Sequence, residues 1–103
     1  MEVLFLSEQL RDTCMTNDAM VDAWGIECAK YLKPLLFDLD AADYLSDVLS
    51  FREHETITFD NKPALKFPLK NEVSMVIINN SKFSSEPFQW TQVYYVKIVY
   101  IGK

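Results

Sequence analysis

Four aspartates, Asp38, Asp40, Asp43 and Asp47, fall within the twelve residues FDLDAADYLSDV, Phe37 to Val48. Grouped carboxylates can hold a divalent cation, but such a site needs oxygen ligands converging from more than one segment. Asp40, Asp43 and Asp47 are spaced i, i+3 and i+7, the spacing of one side of a helix. A helix starting after Asp40 would use that residue as its N-cap, hold Asp43 in the first turn where the dipole favours an anion, and carry Asp47 one turn on. Leu39, Ala42, Leu45 and Leu49 would then point the other way. The expected reading is a cap and a solvated acidic face, with no metal. Asp38 would fall on the apolar side of a continuous helix, which predicts a break near it.

The other reactive side chains are sparse. Cys14 and Cys28 are the two cysteines, and their spacing fits neither a redox motif nor a zinc knuckle. The single histidine, His54, lies in the charged segment FREHE and reads as exposed. Two glycines, Gly25 and Gly102, are too few for a phosphate-cradling loop. No cofactor is expected. The cations able to meet a phosphate are Lys62, Lys66, Lys70 and Lys97, whose ordinary role is a solvated sheet face.

The elements that must position these residues follow from periodicity. VLFL (3–6) reads as a strand, and Ser7 is placed to cap a brief helix over Glu8–Cys14. From Thr16 or Asn17, Met20, Trp24, Cys28, Tyr31, Leu35 and Leu39 recur every three or four residues, one stripe of a long amphipathic helix. Pro34 removes a backbone donor within it and predicts a kink or break near Tyr31–Pro34. ETITF alternates, DNKP is turn-like, and ALKFPLK puts Leu65, Phe67 and Leu69 opposite Lys66, Pro68 and Lys70. Pro68 predicts an edge strand or a bulge. VSMVII reads as a strand covered on both sides or nearly so. After a loop, NNSKFSSEP, the strand FQWTQVYYVKIVYI places Tyr94, Val96, Ile98 and Tyr100 on one face. Helices followed by strands predict an α+β fold, with N-terminal helices on one face of a small antiparallel β-sheet. Trp24, Cys28, Leu35 and Leu39 are expected to bury against Tyr94, Val96 and Ile98.

At 103 residues, half of them hydrophobic, the chain suits one domain over 1–103. The net charge of −5 is concentrated in the first half, where ten acids and four bases precede residue 53. That balance argues against strong nucleic-acid binding by the whole surface and leaves room for a local basic face in the second half. No apolar run spans a membrane and no signal-peptide pattern opens the chain, so a cytoplasmic protein without membrane contact is expected.

The order FLSEQLRDTC, AWGIECAKYLKPLLFDLDAADYLSDV and FQWTQVYYVKIVYIG resembles the HigB-like killer proteins of type II toxin–antitoxin modules, in the RelE/ParE toxin superfamily. The resemblance covers nearly the whole chain. It rests most on Gly25, Ala29, Leu32, Leu36 and Leu39, on Ala41, Ala42 and Leu45, and on Thr91-Gln92-Val93 with Lys97-Ile98. It implies two helices packed on a small sheet whose opposite, concave face holds messenger RNA in the ribosome through basic residues. It also implies cleavage by side chains that activate the ribose 2′-hydroxyl and stabilise the phosphate.

The departures bear on activity. ETITF stands where the family typically has His-x-Leu-Lys-Gly, so Thr58 lies about where a lysine is expected. VSMVI stands for Tyr-Arg-Leu-Ile-Phe, with Ser74 at the arginine, and the closing Asp-Tyr-His is not found. Neither a serine nor a threonine replaces a cation beside a phosphate. No catalytic residue is assigned. Three functions stay open: a non-catalytic binder of a protein partner, such as an antitoxin or another host or phage protein; an active mRNA interferase binding RNA or ribosome through Lys62, Lys66, Lys70 and Lys97; and an acidic nucleic-acid mimic presenting Asp40, Asp43 and Asp47 to a partner. An apolar or acidic open face would favour the first, and a contiguous positive one the second.

Overall fold

The computed structural model describes residues 1–81 and 90–103. Most of the expected loop NNSKFSSEP, and the first two residues of the expected last strand, lie outside the described residues. The elements run β1 (Glu2–Phe5), α1 (Glu8–Thr13), α2 (Asn17–Trp24), α3 (Ile26–Ala41), α4 (Leu45–Leu49), β2 (Glu55–Phe59), β3 (Lys62–Pro68), β4 (Ser74–Asn79) and β5 (Tyr95–Gly102), with a 3₁₀ turn at Trp90–Gln92. The fold is α+β, as the order of helical and strand patterns predicts.

Ser7 caps α1, its side chain accepting from the Leu10 amide, and Thr16 caps α2 in the same way through Ala19. The long helical stripe is divided at Gly25, where the sequence pattern pointed to Pro34. Gly25 has φ 93° and ψ 160°, a conformation essentially confined to glycine. Pro34 lies inside an unbroken α3 on its exposed side, where the lost hydrogen bond is tolerated within sixteen helical residues. The shift in boundary moves Tyr31 off the stripe: it is exposed, and Leu32 takes the buried position.

The sheet order is β1-β5-β4-β3-β2. It is mixed, because β1 runs parallel to β5, while the other three pairings are antiparallel. The wholly antiparallel expectation fails at β1 alone: four helices separate β1 from the other strands and it pairs with the last strand, so no hairpin turn forces an antiparallel partner. Pro68 does not make β3 an edge. It sits at the last position of β3, beyond the register covered by β2, so its missing N–H costs no ladder bond on that side.

The helices cover one sheet face. Cys28, Ala29, Leu32, Leu35, Leu39, Leu45 and Val48 pack with Leu65, Phe67, Met75, Ile77, Val96, Ile98 and Ile101. Trp24 is half-buried at the margin and Tyr94 is exposed, so neither is the central contact expected of it. β5 begins at Tyr95, after the 3₁₀ turn, and carries a bulge where the register shifts between Val76 and Ile77. The extra residue changes the face on which later side chains emerge. Ile98 and Ile101 therefore both reach the helix-covered core, while Val99 joins a second cluster on the other face.

Candidate functional site on the open sheet face

The face away from the helices is floored by Ala64, Val76 and Val99, with Ile57, Phe59 and Ile78 packed around them. Its composition follows from strand alternation: 57 and 59 on β2, 64 and 66 on β3, 74, 76 and 78 on β4 point to one side. A cleft of about 330 Å³ opens on this face at Val76, lined by Ile57, Phe59, Lys66, Glu72, Ser74, Val76 and Tyr100. A neighbouring cleft of about 360 Å³ shares Lys66, Glu72 and Ser74 and continues to Glu53, His54 and Glu55. Together they form a groove that is apolar along the sheet and mixed in charge at its β2 end.

Local geometry explains the polar end. Asn71 and Glu72 both adopt left-handed backbone, φ 60° and 67°, in a loop closed by hydrogen bonds from the Leu69 amide to the Val73 carbonyl and from the Val73 amide to the Lys70 carbonyl. That conformation is uncommon for glutamate and puts Glu72 at the groove wall. Tyr100 lies over Gly102, where a Cβ would come 2.7 Å from the phenol oxygen, and the hydroxyl donates to the Lys103 carbonyl at 2.7 Å. Ser74 is 9% exposed, opposite Gly102 and Pro68 in the ladder. A serine fits there without strain.

The four lysines do not form one patch. Lys66 sits in the groove, opposite Glu55 on one side and Val76 on the other. Lys97 is opposite Ile78 and, across the other edge of β5, Leu4. Lys62 follows the β2–β3 turn at one end. Lys70 leaves the face altogether: its Nζ stands 4.9 Å from the ring centroid of Tyr31 on α3. The strand pattern placed it with Lys66, but β3 ends at Pro68 and the loop that follows turns it toward the helices. Thr58 is on the opposite side of β2 from Ile57 and Phe59, so it does not share a face with Ser74.

The aspartates are distributed differently from the sequence expectation. α3 continues through Asp38 and Asp40 to Ala41, and the N-cap of α4 is Tyr44. Asp40 is thus exposed in the last turn of a helix, with its backbone carbonyl accepting from the N-terminal amine, which also bonds the carbonyl of Ala42. Asp47 takes the capping role, its carboxylate accepting from the Tyr44 amide at 3.2 Å. Asp43 is exposed before α4. Asp38 stays on a continuous helix because Arg52 meets it, Nη2 and Nε both donating to one carboxylate oxygen at 2.6 and 3.1 Å. Its misplaced position in the helical pattern was the signal of that partner. Among the described residues no group of three or more His, Cys, Asp or Glu could hold a metal ion.

Both cysteines are buried free thiols. Burial pushes Cys14 up to about 11 and raises Cys28, the latter opposed by a hydrogen bond with the Lys70 backbone. Neither is poised as a nucleophile. His54 is exposed, its Nδ1 2.8 Å from the Arg52 carbonyl oxygen. No helix among the described residues is long and apolar enough to cross a membrane. Compared with protein-family models, curated proteins and solved structures, the chain matches none.

Proposed function

We propose that this chain is a cytoplasmic, non-catalytic binding protein on a HigB-like toxin scaffold, and that it holds a protein partner in the groove of its open sheet face. The partner class is an antitoxin or another host or phage protein. The observation that carries the reading is the floor of that face. Ala64, Val76 and Val99 are buried beneath the half-buried Ile57, Phe59 and Ile78, so the open face presents apolar side chains where a phosphate-binding protein needs converging cations. Ser74 stands at the position where the resemblance leads one to expect an arginine. An apolar strip rimmed by Lys66, Glu55 and Glu72 suits a protein segment, which supplies apolar side chains and charges of both signs.

One observation favours the mRNA interferase as a second reading. Lys62, Lys66 and Lys97 share the open face, and the ion pairs among the described residues involve none of them. Removing one transition-state charge contact commonly lowers a rate by about 10²–10³, so a scaffold lacking several is expected to cleave at background. The test is incubation of the purified protein with translating ribosomes and a mapped messenger. Absence of codon-linked cleavage supports the binding reading. Robust cleavage that disappears in the Lys66→Ala, Lys97→Ala double variant reverses it.

A further inference from the structure

Among the described residues β2 pairs with β3 alone, so one of its edges carries main-chain groups without a ladder partner. Sheets commonly guard such edges with charged side chains, above all lysine, with proline or with a bulge inside the strand. Glu55–Phe59, ETITF, has no lysine, proline or bulge; its one charge, Glu55, stands at the first position, and Thr56–Thr58 are all β-branched.

Which groups face outward follows from the hairpin. Asp60 and Asn61, at φ 51° and 62°, form a two-residue turn of type I′ between Phe59 and Lys62. The residues flanking such a turn exchange both hydrogen bonds, and the pattern then alternates along the ladder. Glu55, Ile57 and Phe59 therefore direct their N–H and C=O toward β3, and Thr56 and Thr58 direct theirs outward. Pro63 agrees with this phase: it lies opposite Thr58, where no N–H toward β2 is required. Among the described residues no hydrogen bond reaches the backbone of Thr56 or Thr58 from outside β2.

We propose that a second copy of the same chain covers this edge, β2 pairing antiparallel with its twin about a two-fold axis at Ile57. The register is self-complementary. Thr56 of each copy exchanges two hydrogen bonds with Thr58 of the other, so all the outward groups within the strand are used. A register centred on either threonine uses only one such pair within the strand. Ile57 meets its twin in a non-hydrogen-bonded pair, where opposed Cα atoms are about 4.5 Å apart. Because opposed residues share a face, Ile57 carries the apolar side of the open face to the axis, and Phe59 falls opposite Glu55 of the partner subunit. Beyond the strand, His54 falls opposite Asp60 of the partner subunit at both ends. Two five-residue strands bury little area, so the dimer is weak and concentration-dependent.

This proposal is independent of what the open face binds, and the full-length chain tests it. Sedimentation across a wide concentration range is expected to show a monomer–dimer equilibrium. Thr58→Pro removes one outward N–H per copy while respecting its own ladder, and is expected to weaken the dimer by roughly tenfold or more. Ile57→Cys is expected to form a covalent dimer on mild oxidation, whereas Thr56→Cys, opposite Thr58 and not its own twin, is expected not to. Cys14 and Cys28 are buried and leave the new thiol as the reactive one. If Thr58→Pro does not fold, the cysteine pair still decides. A monomer at every concentration, a dimer unchanged by a folded Thr58→Pro variant, or equal cross-linking at 56 and 57 overturns the proposal.

Discussion

Replacing Gly25 with alanine separates two accounts of the helical layer by the sign of its effect. If residues 17–33 formed one helix broken at Pro34, Gly25 would be an interior position, and Gly25→Ala would stabilise by about 0.5–1 kcal/mol through higher helix propensity. In the structure Gly25 stands between α2 and α3 at φ 93° and ψ 160°. An alanine Cβ there meets nothing within 4 Å, so the penalty is backbone strain without a steric clash. Holding a residue with a side chain in that region costs on the order of 1–3 kcal/mol. For a chain of this length each kcal/mol lowers the melting temperature by roughly 4–8 °C. Thermal and urea unfolding followed by far-UV circular dichroism measures it, with Pro34→Ala as the companion. Pro34 lies on the exposed side of an intact helix, so restoring its N–H is expected to stabilise by about 1–3 kcal/mol. A Gly25→Ala variant more stable than the parent would refute the break at Gly25.

Three other outcomes follow from the packing and the titrating groups. Leu35, 2% exposed between α3 and the sheet, is expected to cost roughly 2–5 kcal/mol on truncation to alanine, read from the urea midpoint. Asp47→Ala is expected to lose about 0.5–1 kcal/mol with the Tyr44 amide bond, while Asp40→Ala is neutral or slightly stabilising because an anion opposes the dipole at a helix C-terminus; equal losses in the two variants would contradict the assignment of the cap. Burial raises the Cys14 thiol from 9.0 to about 11, so the folded chain holds that proton more tightly than the unfolded one. Its contribution is intact below pH 9 and lost as the pH rises toward about 11. A Cys14→Ala variant is expected to flatten that alkaline decline, and an unchanged slope would assign it to other groups.

The resemblance to HigB-like proteins placed Ser74 and Thr58 together as lost cations, and strand geometry separates them. Ser74 lines the open groove, whereas Thr58 lies on the other side of β2 with its backbone at the free edge. Restoring both cations would therefore not rebuild one phosphate site. Ser74→Arg alone would bring a cation beside Lys66.

Local interactions wrote themselves into the sequence where they are strongest. Ser7 and Thr16 mark helix starts because a hydroxyl next to free amides acts within one turn. Asp60-Asn61 marks the hairpin because these side chains tolerate left-handed backbone. The alternation of ETITF and ALKFP fixes which side chains share a face. Other outcomes depended on partners distant in sequence. Pro34 predicted the break in the helical stripe, but the chain turns at Gly25, which takes a backbone conformation few other residues adopt, and Pro34 stays within α3. Asp38 fits an apolar face only because Arg52 arrives fourteen residues later to meet it. The parallel pairing of β1, the bulge that brings Ile101 to the core and Val99 to the open face, and the diversion of Lys70 onto Tyr31 were decided by tertiary structure. Each depends on where two separately formed elements meet, and residue spacing within either element carries no record of that meeting.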